Sequence, residues 1–444
     1  MSSKESVCVI GQTLVDVIQG PDGRAQLGGV VHTARALWAI GSPYRLAYFA
    51  PEYLDEHIRR YCEAWGPADA VKIGNVTGAP NLIVVPDPKE IGSKQYELIW
   101  HKSQKIVGNR ERLQKLLEDP NISDIIIFPD QFDLPTVLEE CGKTQARVYI
   151  DINYGPEDRS ELGALGRKFE AIIISTSATG FRDEYQDSPE QFCKNLFKWG
   201  ERVLLKENRG GSRLFGPRNA STVLNVPAQV RPIAHSVGVG DCFNAVFVAM
   251  RRRFGDQLAL NYASCVAAEY ATCFQPEELE EAARAVLAID PNEMAGISGV
   301  QLPWEKRPAI NVYIAAPDFS WIDRRPIDEV ADALRYHNLT PRLPVRENGQ
   351  MKMDDPPVVK SKMAQDDLIM LDECKLLLAV LLYDDPGTLI EIGLALERGM
   401  PVLVYDPYHR ASNLMLTELP TLVSADLDVI IAGVFTHAAR VSNV

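Results

Sequence analysis

The chain has 444 residues, 46% of them hydrophobic and 24% charged, an ordinary globular balance with length for two or three domains. Its 60 acidic against 46 basic side chains give a formal net charge of -14. That argues against a binder of nucleic-acid backbone, which needs clustered Lys and Arg to release counterions. The 8 Cys stand singly with no C-x-x-C pair, and the 7 His show no metal-ligand spacing. No window reaches the ~18 apolar residues of a membrane span, and Met1 to Ser6 begin no basic-then-apolar leader. The expectation is a cytoplasmic chain with free thiols, no metal, and neither membrane nor nucleic acid as partner.

The predicted elements begin with a buried strand, Val7 to Ile10, ending in a turn at Gly11, with Asp16 soon after. Gly28-Gly29 then leads through Val30, Val31, His32 and Thr33 into a helix of small residues, Ala34 to Ala39. Asn81 to Val85 and Gln95 to Trp100 read as strands of a small flap. From Ile122 onward strand and helix alternate, with strands over Asp124 to Phe128, Arg147 to Ile152, Ala171 to Ser175 and Val203 to Lys206. That alternation predicts a parallel sheet with helices on both faces. His235-Ser236-Val237-Gly238-Val239-Gly240-Asp241 follows, a glycine turn whose N–H groups can face an anion where the apolar helix Ala245 to Met250 opens. The run Arg251-Arg252-Arg253 reads as a solvated helix end.

Gly-x-Gly-Asp at this place, with Gly28-Gly29 and Asp16 ahead of it, resembles the ribokinase-like (PfkB) sugar and nucleoside kinases. The resemblance implies an αβα sandwich with a small β flap. It also implies Asp241 as base on a substrate hydroxyl, Gly238, Val239 and Gly240 around the transferred phosphoryl group, and Asp16, Gly28 and Gly29 on the sugar. Lys206 and Gly210 sit where the nucleotide-contacting strand end falls, so ATP and Mg2+ are the implied cofactors of an active kinase. The chain departs from that family at Thr33, where an Asn is usual, and at His235, where an Asp is usual. It also lacks an Asn-x-x-Glu element near residues 174–180, which bears on metal placement and hence on phosphoryl transfer.

Residues 297–308 hold Gly, Pro and charge without periodicity and read as a linker between a domain over 5–296 and one over 309–444. The second domain alternates strand (Ile310 to Ala315), helix (Ile327 to Tyr336), loop, helix (Val359 to Glu373), strand, helix and strand (Val402 to Tyr405). A last strand and helix are expected from Asp428. This is α/β patterning of a flavodoxin-like parallel sheet.

Within it Lys375 to Leu382 is an apolar strand and Leu389 to Arg398 an apolar-periodic helix, so Tyr383-Asp384-Asp385-Pro386-Gly387 is an acidic turn at a strand's carboxyl end. Capping alone accounts for acidic residues at helix starts. Glu391 is the candidate nucleophile, expected in the first helical turn and held anionic by the helix dipole.

Tyr313, Gln350, Asp366-Asp367, Asp385, Glu391 and Asn413-Leu414-Met415 come in the order that resembles the nucleoside 2-deoxyribosyltransferase family, over roughly the last 135 residues. The resemblance implies attack of Glu391 on the anomeric carbon of a (deoxy)nucleoside, giving a glycosyl-enzyme ester without a cofactor. It places Tyr313 on that carboxylate and Asp367 at the departing base, with Asp366 and Asp372 as lesser substitutes. Gln350 would read the base edge, and Asn413 would reach a neighbouring subunit's site, so a homo-oligomer is implied. In related enzymes that cleave nucleoside monophosphates a small hydroxyl residue stands where this chain has Asp385. A carboxylate there repels phosphate and accepts from sugar hydroxyls, favouring unphosphorylated nucleosides. Transfer to a second base and hydrolysis both stay open, as does the alternative of a regulatory protein that senses nucleosides or nucleotides through a degenerate kinase domain.

Overall fold

The computed structural model describes residues 5–20, 23–92, 96–185, 188–216 and 223–442. The chain splits into two compact units, the first ending at Gln301 and the second running from Leu302, except that the short segments 90–94 and 230–232 group with the second. Part of the expected linker is packed: Leu302, Trp304 and Arg307 are buried, and the Arg307 guanidinium donates to the Leu302 carbonyl oxygen and lies over the Trp304 ring.

In the first unit the strands are β1 (Ser6–Ile18), β2 (Arg24–Gly29), β3 (Tyr44–Ala50), β4 (Asp69–Thr77), β5 (Leu82–Val85), β6 (Glu97–Leu98), β7 (Lys105–Gly108), β8 (Ile122–Ile127), β9 (Arg147–Asp151), β10 (Ala171–Ser175), β11 (Val203–Lys206), β12 (Ser212–Phe215) and β13 (Val223–Val226). The main path runs β13-β12-β11-β10-β9-β8-β1-β3-β4-β7, parallel from β11 to β4. Val9, Ile10, Ile126, Tyr149 and Ile173 are fully buried within it, as strands covered on two faces require.

β1 does not stop at Gly11. It continues to Ile18 and there pairs with β2 and β5, making the flap. Gly11 is a close-packing position rather than a turn, because a Cβ on it would lie 2.8 Å from Val30 Cγ1. Of the expected strand from Gln95, residue 95 lies outside the described residues and pairing begins at Glu97.

The long helix Val239–Tyr270 packs against the helix Val30–Ala39 and bends at Gly255, whose φ of 76° is non-helical. Arg251, expected in solvent, is instead buried. It pairs with Glu170 and Asp256 and donates to the Tyr149 hydroxyl, 3.0 Å away.

The second unit carries β14 (Asn311–Ala315), β15 (Thr340–Arg342), β16 (Leu376–Val380), β17 (Val402–Tyr405) and β18 (Leu422–Ser424), all parallel, in the order β15-β14-β16-β17-β18. That is the doubly wound order with its switch point between β14 and β16, the crevice where open α/β sheets take ligands. β15 lies in a stretch that reads as loop, being short and interrupted by Pro341. The strand expected from Asp428 is not formed: the strand lies earlier, at Leu422–Ser424, and Asp428 belongs to the helix Leu427–Ser442. Ile430, Ile431, Val434 and Phe435 are all buried, so burial of a helix face outweighs the strand preference of β-branched residues.

Candidate functional site

The switch point brings an aromatic hydroxyl against an acid. Tyr313, in the middle of β14, is buried and donates from its hydroxyl to Glu391 Oε1 at 2.7 Å. Glu391 comes from the helix Pro386–Glu397, which follows β16 and packs on it. Asp385 is the N-cap of that helix, so Glu391 falls in its second turn and no acidic residue occupies the first. The expectation of a carboxylate held anionic by the dipole is therefore overturned. The dipole's influence fades within the first turn, and burial pushes Glu391 up to about 7 against the opposing hydrogen bond from Tyr313, with Asp367 and Asp385 adding repulsion. Burial together with the Glu391 charge also raises Tyr313 well above a usual phenol.

Asp367 projects from the helix Pro357–Glu373 and accepts from Asn348 Nδ2 at 2.8 Å. Burial raises its carboxyl above the ordinary value, the Asn348 bond opposes this, and Asp366 adds to it. Asp372 is turned elsewhere, to an ion pair with Arg398 at 3.3 Å. Gln350 accepts weakly from the Ser320 backbone N–H at 3.5 Å, which ties its loop to the segment after β14. On that segment Phe319 and Trp321 stack with ring centroids 4.9 Å apart, Trp321 being exposed.

Asp385 Oδ2 accepts from the backbone N–H and the hydroxyl of Thr388, at 2.8 and 2.9 Å, so this residue caps the helix while Oδ1 stays outside the capping bonds. Asn413 caps the short helix Leu414–Glu418 through Met415 N–H and is exposed, beside exposed Leu414 and Met415. Tyr313, Glu391, Asp367 and Asp385 thus form one electrostatically coupled group, with Asn348 attached to it. Asn413 stands at a surface.

Residues 312–424 match the family model of the nucleoside 2-deoxyribosyltransferases. The matched segment spans β14 to β18 and contains Tyr313, Asn348, Gln350, Asp367, Asp385, Glu391 and Asn413. Asn348 and the Phe319–Trp321 stack escaped the sequence reading. Asn348 was hidden in an exposed-looking Glu-Asn-Gly-Gln turn, and Trp321 was the available signal, a large aromatic in a polar loop.

The first unit holds a second group, at the carboxyl ends of its parallel strands. Asp16 on β1 is buried and accepts from His32 Nε2 at 2.7 Å, and the other ring nitrogen, Nδ1, lies 2.7 Å from the Tyr270 hydroxyl. Burial works against the imidazolium, yet the charge and hydrogen bond of Asp16, with Asp241, raise His32 above its ordinary value. Asp241 enters the long helix directly behind Gly238, whose φ is 76°, Val239 and Gly240. Burial pushes Asp241 up to about 6, against His32 and Lys206, with Asp151 and Asp16 adding to the rise. Lys206, last in β11, donates to Asp151 Oδ2 at 2.9 Å and Asn244 Oδ1 at 3.1 Å and lies 3.4 Å from Gly240 O. Gly28 lies on β2 against the Asp16 carboxylate, Gly29 is the N-cap of the following helix, and Gly210, itself buried, ends a 3-10 turn after β11. His235, where the kinases usually have an Asp, is buried and neutral in character, lowered to about 4 chiefly by burial.

Solved structures similar to the chain include Arabidopsis thaliana ribokinase complexed with ribose and ATP, 15% identical, covering 64% of this chain and 99% of that one at a TM-score of 0.47. Thermotoga maritima ribokinase is 16% identical over 64% and 99%, at 0.48. The Methanocaldococcus jannaschii nucleoside kinase is 12% identical over 63% and 98%, at 0.44. No curated protein matches the chain.

Proposed function

We propose that the second unit breaks the N-glycosidic bond of an unphosphorylated (deoxy)nucleoside. The observation that carries this reading is the Tyr313–Glu391 bond at the switch point, inside the nucleoside 2-deoxyribosyltransferase segment. Ionised Glu391 attacks the anomeric carbon as the carbon–nitrogen bond breaks, and the bond's electron pair leaves with the base. Asp367, its carboxyl raised by burial, supplies the proton that the departing base takes up. A second base, or water, then displaces Glu391 from the sugar, gives up its proton to the Asp367 carboxylate and so regenerates both carboxyl groups in their starting forms. Tyr313 donates to Glu391 and so favours its ionised form. Asp385 Oδ1 accepts from a sugar hydroxyl, Gln350 meets the base edge, and the Phe319–Trp321 stack offers it a face.

The reading extends to a homo-oligomer. Ile390, Leu414, Met415 and Leu419 are exposed apolar residues on or beside the two helices that carry Glu391 and Asn413, a surface suited to a second copy. In the first unit the side chains do not fit a magnesium nucleotide. Lys206 is committed to Asp151 and Asn244 beside the glycine turn, and the segment over residues 174–180 offers no carboxylate.

The deciding experiment incubates the protein with a 2-deoxynucleoside and a different free base. The expected outcome is exchanged nucleoside, or free sugar if water is the acceptor, together with a glycosyl adduct on Glu391 in the mass spectrum and none in Glu391→Ala. Binding of nucleoside without base release would make this a sensor and end the reading.

A further inference from the structure

The carboxyl edge of the first unit's sheet gathers charge for which base exchange has no use. Asp16, Asp151 and Asp241 supply three carboxylates there, and His32 and Lys206 supply two basic groups, each committed to a partner within the set. Such an edge, beside a glycine turn opening a long helix, is where an open α/β sheet takes a hydroxylated or anionic ligand. The glycines record how closely it is filled from inside. A Cβ on Gly238 would lie 2.4 Å from His32 Cγ, and one on Gly28 would lie 2.1 Å from Asp16 Oδ1. The imidazole therefore fills the gap between the Asp16 carboxylate and the Gly238–Gly240 turn, 5% exposed, with Asp16 2% exposed. Tyr270 holds it from behind, its ring edge-on at 6.3 Å and its hydroxyl on Nδ1.

We propose that His32 is the resident occupant of this cleft, a built-in stand-in for a ligand that closes the first unit to sugar hydroxyls. With Asp16 2% exposed, its Oδ2 on the ring and its Oδ1 against Gly28, a hydroxyl reaches the carboxylate only by moving the ring and leaving it buried without its acceptor, which is a strongly unfavourable exchange. Lys206 occupies the neighbouring end in the same way, 3.1 Å from the place a Cβ of Gly240 would take. The first unit consequently carries out no sugar-dependent phosphoryl transfer, although Asp241 stands where a base would.

Two measurements on the full chain test this. Wild-type protein titrated with ribose, 2-deoxyribose or a nucleoside, with ATP and magnesium, is expected to release no ADP above the sugar-free level. Base release in the same sample reports separately on the Glu391 site. His32→Ala is expected to lower Tm, and millimolar imidazole to restore about 2–4 °C of it while leaving wild type unmoved. Sugar-dependent ADP release by wild type, or a folded His32→Ala whose Tm ignores imidazole, overturns the proposal. If His32→Ala does not fold, the ADP measurement on wild type still decides.

Discussion

The Tyr313 hydroxyl and Glu391 Oε1 lie 2.7 Å apart across 78 positions of sequence, joining the middle of β14 to the second turn of the helix after β16. The bond favours the carboxylate, burial favours the acid, and burial prevails, leaving Glu391 at about 7.

Base release is therefore expected to rise with pH through about 7 as Glu391 ionises. Tyr313→Phe removes the one contribution that lowers the Glu391 pKa, so the rising limb moves to higher pH. A pH profile of kcat/KM on both proteins checks this, and an unmoved limb would exclude Glu391 as the titrating group.

Stability follows with the opposite sign. A folded-state pKa above the ordinary 4.5 means that folding favours the protonated form. The stabilisation is complete below the unfolded value and is lost as pH rises through about 7. Glu391→Gln should thus be inactive yet raise stability at pH 8, by at most about 3 kcal/mol, and much less at pH 5. Thermal melts at the two pH values measure the difference.

Asp367 should matter in proportion to how badly the base needs a proton. Asp367→Asn is expected to slow release of an ordinary purine by ~10²–10³-fold. An N7-methylated purine leaves without needing that proton, so its release should slow far less. Equal losses with both substrates would remove the acid role.

Asp385 combines two jobs that substitution can separate. Asp385→Ala should cost about 1 kcal/mol through the lost cap on Thr388, whereas Asp385→Ser keeps a capping oxygen and most of that stability. With the carboxylate gone, Asp385→Ser should also accept nucleoside 5-monophosphates better relative to nucleosides. An unchanged ratio of kcat/KM values would show that Asp385 does not select against phosphate.

Ile390→Glu and Leu414→Glu place charge on exposed apolar positions and should leave the fold intact. Sedimentation is expected to show a smaller species, and base release to fall with it if Asn413 serves a second copy's site.

Much of this architecture could be read from local pattern. Apolar runs bounded by turns located β8 through β11, β14, β16 and β17, and the acidic turn before the helix of Glu391 stood out without any fold. Pattern misled where burial and propensity disagree. The β-branched run after Asp428 is a helix because one face is covered, and Arg251 is buried because Glu170, Asp256 and Tyr149 receive it.

Local pattern by itself located the acidic turn ahead of the helix of Glu391, since strand ends and helix starts are dictated by neighbours in the chain, whereas Tyr313, Asp367, Asp385 and Glu391 were grouped as one set through the family resemblance of their order. Only three-dimensional packing raises Glu391 through burial, makes Asp385 a helix cap and lays the imidazole of His32 against Gly238. Charge state and cleft occupancy depend on desolvation and on partners tens to hundreds of positions away, and neither quantity is written in any local stretch of the chain.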